Sequence, residues 1–265
     1  MIKNGRIVTS QGIFKASIAI DNGLIQAVVA SSSLPEANHI IDAEDNIILP
    51  GVIDGHAHTS LPPEDPVSGT KAAARGGITT MMEMPGTQKG CFNPSEVNAK
   101  RDLYERSSYV DFCIHAGCAS GYPEGTLEDM WKMGATGVKF FIASAGPKWP
   151  QTFDNEVYER FKELSHIDAL ALIHSENDLI LRDNFQRLQR EGRKDYSAYL
   201  EWRPPISEAE CGQRMIRYLK ETNCRGLIVH TSITEVIKDA AKAREKGVKV
   251  YVETCPHTSI TQMKM

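Results

Sequence analysis

The 265-residue sequence lacks the Cys-x-x-Cys pairs that hold zinc ribbons, because its six cysteines are spaced differently. It contains no apolar run long enough to cross a bilayer, and its N-terminus lacks the basic-then-apolar layout of a secretory signal. Its net charge is −4 and its lysines and arginines are scattered, so it offers no basic field to nucleic acid. These absences predict a soluble cytoplasmic protein without a membrane or nucleic-acid partner.

Residues 1–48 differ in pattern from the rest of the chain. Short alternating or apolar runs are separated by Gly and Asn turns, and Asp21-Asn22-Gly23 is a hairpin signal. We expect a small N-terminal β unit here. So short a segment makes a poor independent core, so the unit should lean on other structure.

From residue 49 onward, short apolar strands alternate with helical stretches. The predicted strands are Ile47–Ile53, Ile78–Met84, Val110–Ala116, Gly137–Ala143, Ala169–His174, Leu227–His230 and Val248–Glu253. The predicted helices include Pro66–Arg75, Pro94–Arg106, Thr126–Met133, Asn155–Ser165, Glu208–Thr222 and Ile233–Lys246. This alternation indicates parallel βαβ units. Because no Gly-x-Gly-x-x-Gly turn is present, it favours an α/β fold of the TIM-barrel type over a dinucleotide-binding sheet.

The segment from Asn177 to Pro205 is long, charged and rich in arginine. We expect a helix over Leu179–Glu191, followed by a loop through Asp195 to Pro205. Long loops on barrels often cover an active site. A solvated surface excursion is an equal alternative.

The stretch Asp54-Gly55-His56-Ala57-His58 has the clearest chemical pattern. In a strand, residues two apart point to the same side, so the two histidines can present their imidazoles to one metal ion. The alanine between them is too small to crowd them. A lone His-x-His is weak evidence, because hydrogen-bonded core histidines give the same pattern.

Three further strands strengthen this interpretation. Lys139 lies within the fourth predicted strand, His174 ends the fifth and His230 ends the sixth. In a barrel the carboxyl ends of the strands converge on one mouth, so we expect these side chains to face one cavity. The histidines that we expect to be structural or exposed are His39, His115, His166 and His257.

Lys139 is unusual, because a lysine within an apolar strand is costly unless it is paired or neutralised. One solution is reaction of the amine with carbon dioxide to a carbamate, which turns a cation into an anion that can bridge two metal ions. The alternative is an unmodified lysine that extends into a solvated barrel mouth.

These motifs together resemble the amidohydrolase superfamily and its cyclic amidohydrolase branch, which includes allantoinases, hydantoinases, dihydropyrimidinases and dihydroorotases. The resemblance spans almost the whole chain in order. The matching segments are Pro50–His58, Gly69–Thr80, Glu83-Met84-Pro85, Val138–Phe141, His174–Asn177, Arg203-Pro204-Pro205, Val229–Ser232 and Val252–His257.

The resemblance implies a site for two divalent metal ions, usually zinc, and hydrolysis of a small cyclic amide. The implied ligands are His56 with His58 on one ion, His174 with His230 on the other, and carbamylated Lys139 between them. A hydroxide bridging the ions would attack the ring carbonyl. Asp54 would orient a ligand histidine, with a capping role as the alternative.

Two parts of the family pattern are missing from the sequence. Relatives carry an aspartate at the end of an eighth strand as metal ligand and general acid/base, and they then return to complete a β-sandwich with the N-terminal unit. We therefore expect a barrel over 49–265 that lacks its last strand, beside half of a composite sandwich. This predicts a C-terminally truncated relative with weak or absent activity, whose exposed edges favour a homo-oligomer.

Residues near the implied ligands bear on the substrate. Ser60 stands where dihydroorotases have an arginine, and Ser144 where hydantoinases and dihydropyrimidinases have a tyrosine. We expect both serines to line the substrate site, and the small residues after Lys139 favour an allantoinase-like reaction. Glu83 replaces the aspartate that is commoner in allantoinases. Allantoin, hydantoin and dihydropyrimidine therefore all remain candidate substrates. The alternative is a catalytically impaired homologue that acts as a structural or regulatory partner.

Overall fold

A computed structural model describes residues 1–30, 36–86, 91–144, 146 and 149–256. Residue 257, one of the histidines expected to be structural, and the tail 258–265 lie outside the described residues. The chain divides into two compact units, Met1–Val52 and Ile53–Met265. This division lies a few residues beyond the predicted one between 48 and 49.

The first unit is a five-stranded sheet. Its strands are β1 (Ile2–Thr9), β2 (Gly12–Asp21), β3 (Leu24–Val29), β4 (Ile41–Asp42) and β5 (Ile47–Ile48). The first three form an antiparallel meander, and β4 and β5 pair with β1 in parallel. Among the described residues of this unit, Ile7, Ala16 and Ile18 form a buried apolar cluster, so the unit has a small core of its own.

The second unit alternates parallel strands with helices. Its strands are β6 (Val52–Ala57), β7 (Ile78–Glu83), β8 (Asp111–Ile114), β9 (Ala116–Cys118), β10 (Val138–Phe141), β11 (Leu170–His174), β12 (Arg225–Ile228) and β13 (Val250–Val252). Its helices are α1 (Pro66–Arg75), α2 (Pro94–Ser107), α3 (Thr126–Lys132), α4 (Asp154–His166), α5 (Asp178–Arg190), α6 (Tyr196–Trp202), α7 (Pro205–Thr222) and α8 (Thr234–Glu245).

The strands run in chain order as two sheets, β6-β7-β8 and β9-β10-β11-β12-β13. Backbone hydrogen bonds connect them, because the N–H of His115 donates to Glu83 and the N–H of Thr136 donates to Ile114, both at 2.9 Å. This order is that of consecutive strands in a (β/α) barrel wall. The lack of an eighth strand stays a prediction.

Strand alternation separates two apolar layers. On β10, Val138 and Phe140 face α4, where the Phe140 ring meets Phe161 edge-on with centroids 5.2 Å apart. Lys139 and its register partner Leu172 face the other way. The outer layer buries most of the core. The inner face carries Lys139 beside a smaller apolar cluster of Met84, Leu172 and Val229.

Three predicted elements differ from the structure. The run Ile47–Ile53 is two strands, β5 and β6, because Pro50 between them has no N–H to donate to a ladder. Val110–Ala116 is divided at His115 into β8 and β9. The predicted loop from Asp195 contains helix α6, whose first turn is capped by the Asp195 carboxylate accepting from the Ala198 N–H.

Other sequence expectations were tested directly. In the described part of the chain, no helix is both long and apolar enough to cross a membrane. Four of the six cysteines are buried: Cys91, Cys118, Cys211 and Cys224. Burial raises the pKa of each of these thiols, as expected of small apolar core residues.

The packing of α4 against β10 gives a stability prediction. Phe161→Ala should lower the free energy of unfolding by about 3–5 kcal/mol, because it opens a cavity beneath Phe140. Phe153→Ala removes a ring that is 52% exposed and should cost far less. Urea denaturation of both variants measures the difference, and equal losses would contradict this account of the core.

Candidate metal centre

The ends of three strands bring the four predicted histidines together. The ring centroids of His56 and His58 are 5.3 Å apart, those of His56 and His230 are 5.6 Å apart, and those of His174 and His230 are 4.8 Å apart. The four imidazoles therefore form one continuous row. Its two halves come from β6 and from the adjacent strands β11 and β12.

His230 joins this row through an unusual backbone. Val229 packs in the inner cluster with Met84 and Leu172, so simple alternation would turn the next side chain outward. Instead His230 has φ of +43°, in the left-handed region that non-glycine residues seldom adopt. This conformation turns its ring toward His174. Such backbone strain is common at functional sites.

Each half of the row is held by a carboxylate. Glu253, just after β13, accepts from Nδ1 of His56 at 2.9 Å, and the same oxygen lies 3.4 Å from the backbone N–H of His230. Glu176 accepts from Nε2 of His174 at 2.8 Å. A carboxylate on one ring nitrogen fixes the tautomer and leaves the other nitrogen free to bind a metal.

Glu176 is itself paired with Arg203 in a short ion pair. Burial raises the pKa of Glu176, but the hydrogen bond from His174 and the charges of His174 and Arg203 outweigh it and lower that pKa. Arg203 also lies over the rings of Trp202 and Tyr199. The segment from α6 to α7 therefore supports His174 through Glu176.

Burial favours the neutral form of three of these imidazoles, because it lowers their pKa values. It lowers the pKa of His58 to about 4, with the nearby His56 acting in the same direction. Burial also lowers the pKa values of His174 and His230. Neutral imidazole is the form that binds metals, so the site has no proton to displace from these rings near neutral pH.

Lys139 lies on the inner face of β10 and is 2% exposed. Its Nζ is 5.5 Å from the centroid of the Phe141 ring, which in turn lies 5.9 Å from the ring of His174. Burial lowers the pKa of Lys139 to about 7, against the opposing effect of the Glu253 charge. A large fraction of this amine is therefore neutral at physiological pH.

The nitrogen positions fit a metal ion, although no three His, Cys, Asp or Glu side chains among the described residues already form a complete ion site. His174 Nδ1 and His230 Nε2 are 3.1 Å apart. Two nitrogens bound tetrahedrally to one zinc ion at about 2.0–2.1 Å lie about 3.3 Å from each other. Nδ1 of His58 is buried and has no hydrogen-bond partner in the described structure.

Three other predicted site residues lie in different surroundings. The carboxylate of Asp54 accepts from the backbone N–H of His56 at 3.0 Å, not from its ring. The Ser60 hydroxyl donates to buried Glu83 at 2.5 Å. Ser144 is exposed, and its backbone N–H donates to Asp178 at 2.9 Å. The substrate contacts expected of the two serines stay predictions.

Sequence reasoning did not single out Glu253 or Glu176, although both belong to matching motifs. A carboxylate directly following a strand end was the available signal.

His115, expected to be structural, is 1% exposed, and burial lowers its pKa to about 3. Its Nδ1 is 3.3 Å from the Thr136 hydroxyl.

Known proteins share this chain's sequence and fold. It is 32% identical over 267 aligned positions to an allantoinase of Salmonella choleraesuis, with 97% of this chain and 58% of the relative covered. It superimposes with a TM-score of 0.90 on an L-hydantoinase (dihydropyrimidinase) from Arthrobacter aurescens at 30% identity, covering 96% of this chain and 58% of that one. A dihydropyrimidinase from Brevibacillus agri gives a TM-score of 0.87 at 28% identity, covering 97% and 57%.

The relatives that this chain resembles over nearly its whole length are an allantoinase, a hydantoinase and a dihydropyrimidinase, all of them cyclic amidohydrolases. The predicted resemblance is therefore confirmed, although no protein-family model matches the sequence. The structural neighbours are barrel hydrolases of this family, which supports the α/β barrel class. The chain spans somewhat more than half the length of the relatives that it matches.

The low pKa of Lys139 predicts how stability depends on pH. In the unfolded chain the amine holds its proton up to its ordinary pKa of 10.5, whereas the folded protein releases it at about 7. Between these values the unfolded state binds more protons, so this group makes the protein more stable as pH rises.

Lys139→Met keeps the length of the side chain and removes the charge. The free energy of unfolding, measured without metal and carbon dioxide, should rise between pH 7 and 10 more steeply in the natural protein than in this variant. Parallel curves would show that Lys139 keeps an ordinary pKa.

Proposed function

We propose that the protein is a metal-dependent hydrolase that opens a cyclic amide at a C–N bond. The observation that carries the proposal is the row of four imidazoles at the strand ends, with a carboxylate on each half. Core histidines satisfied by hydrogen bonds would not need two carboxylates and a buried lysine beside them. The names of the relatives support the same reaction class.

The histidines of this chain would bind two divalent ions in two pairs. Zinc is the proposed metal, because it binds imidazole nitrogen well. His56 and His58 form one nitrogen pair, and His174 and His230 form the other. Divalent ions in such a site polarise a carbonyl and lower the pKa of water. Glu253 and Glu176 hold His56 and His174 in one tautomer, so that the other nitrogen of each ring carries no proton.

Lys139 would supply the anion between the two pairs. Its neutral amine can add carbon dioxide, which forms an N–C bond and releases one proton to give a carbamate. The lowered pKa makes the reactive neutral amine available near pH 7. The carbamate would also replace a cation that burial disfavours with an anion that faces metal ions.

For the substrate, the sequence similarity favours allantoin, and the structural similarity favours hydantoin or dihydropyrimidine rings. All are small cyclic amides. A cavity of about 560 Å³ opens beside His174 and His230, and Tyr199 and Arg203 contribute to its wall. It is large enough for such a ring. We place the protein in the cytoplasm, as a homo-oligomer.

Zinc binding tests the site directly. The purified chain should bind about two zinc ions, and His174→Ala should weaken binding more than about 10-fold, because it removes a proposed ligand. His166→Ala, at the end of α4, is the matched control and should bind like the natural protein. Calorimetry measures affinity, and an assay of allantoin and hydantoin opening tests the reaction. Equal zinc binding by His174→Ala would contradict the assignment.

Carbon dioxide dependence tests the role of Lys139. Zinc loading of the natural chain should increase when bicarbonate is added to carbon-dioxide-free buffer, because the carbamate forms only with carbon dioxide. Lys139→Met should bind zinc weakly with or without bicarbonate. If bicarbonate does not change the amount of zinc bound by the natural chain, the result would favour an unmodified lysine.

A further inference from the structure

A buried polar cluster lies directly behind the first histidine pair. We call it the Glu83 cluster, and its members are Thr59, Ser60, Glu83, Lys100 and Tyr104. They come from the segment after β6, the end of β7 and helix α2. The side chains of Glu83 and Lys100 are 1% and 4% exposed. None of these residues belongs to the row of imidazoles.

Glu83 is the centre of this cluster. One of its oxygens accepts from the backbone N–H of Thr59 at 2.9 Å and from the Thr59 hydroxyl at 3.1 Å. The other accepts from the Ser60 hydroxyl at 2.5 Å and lies 3.4 Å from Nζ of Lys100. Lys100 also donates to the carbonyl of Met84 at 2.6 Å. A buried carboxylate with this many donors is held in one position.

Thr59 and Ser60, which donate hydrogen bonds to Glu83, come immediately after His58 in the chain. The Thr59 N–H belongs to the peptide group that also contains the carbonyl of His58, so fixing it fixes the backbone rotation at His58. The Thr59 hydroxyl is further bound to the Tyr104 hydroxyl at 2.7 Å. The position of the His58 ring therefore depends on the cluster.

Helix α1 closes the other side of Thr59. A Cβ on Gly69 would lie 2.5 Å from Cβ of Thr59, which real side chains do not tolerate. Glycine within a helix interior costs stability relative to alanine. Its presence at this point of α1 allows the helix to pack directly on Thr59, which adds a steric restraint to the hydrogen bonds.

We propose that Glu83, paired with Lys100, is a positioning residue that anchors Thr59 and Ser60 and thereby sets the metal affinity of His58. This inference rests on the proposed function, because it assigns a supporting role at the same site. It also gives Ser60 a role in the cluster, through its hydrogen bond to Glu83. Supporting residues behind metal ligands typically change affinity about 10–100-fold.

The test replaces the buried ion pair as a unit. Glu83→Met with Lys100→Met removes the acceptor of Thr59 and Ser60 without leaving a charge buried alone. The control is Arg160→Met with Glu163→Met, a half-buried pair on α4 whose charged atoms are 2.8 Å apart. Calorimetry with zinc alone measures the affinity. The rate of amide hydrogen exchange at Thr59 in metal-free protein shows whether Glu83 holds the Thr59 backbone in place.

The cluster variant should bind zinc at least about 10-fold more weakly than the natural chain, with faster exchange at Thr59, while the control matches the natural chain in both. Unchanged zinc affinity in the cluster variant would overturn the inference. If the natural chain binds no zinc, the proposed function fails instead. Thr59 exchange then decides whether Glu83 is an anchor, and exchange unchanged by the substitution would overturn that too.

A second variant covers the case in which the cluster variant does not fold. Gly69→Ala should displace Thr59 and weaken zinc binding at least about 10-fold, with all hydrogen-bonding groups retained. The matched control is Gly212→Ala in α7, whose Cβ would lie 2.6 Å from the side chain of Val236 in α8. This control should leave zinc affinity unchanged. Equal changes in zinc affinity in the two alanine variants would overturn the inference that Thr59 is held in place for His58.

Discussion

The parallel register of β9 to β13 is the constraint on which the rest of the structure depends. It pairs Lys139 with Leu172, and Phe141 with His174, so that these side chains share the inner face. The neighbouring positions on the same strands bury the apolar residues that stabilise the outer layer against the helices. A shift of one residue would exchange the two faces. The same burial that stabilises the fold therefore holds the polar groups at the site.

Burial also determines the charges at the site. Imidazoles packed beside one another in a low-dielectric environment lose their protons, and a buried amine does the same. Each carboxylate that touches the row accepts a hydrogen bond from one ring nitrogen. The result is a set of nitrogen donors that are already deprotonated and oriented, which is what a metal site requires before an ion arrives.

The elements and residue types of the site could be predicted from the sequence, because apolar runs and strand ends are local signals. Helix α1 has the predicted bounds, Pro66–Arg75. The capping carboxylate of Asp195 was a missed local signal for α6. The contact between His56 and Glu253 could not be predicted this way, since it joins residues 197 positions apart and depends on the complete strand order. The turn at His230 depends in the same way on packing around it.

The central claim is that four imidazoles and the Lys139 side chain hold a pair of adjacent ions. Zinc-edge X-ray absorption of the zinc-loaded chain tests it most directly. The account predicts a shell of nitrogen and oxygen at about 2.0–2.1 Å with imidazole scattering, and a second zinc at about 3.5–4 Å. A sulfur shell at about 2.3 Å, or a single zinc without imidazole scattering, would contradict it.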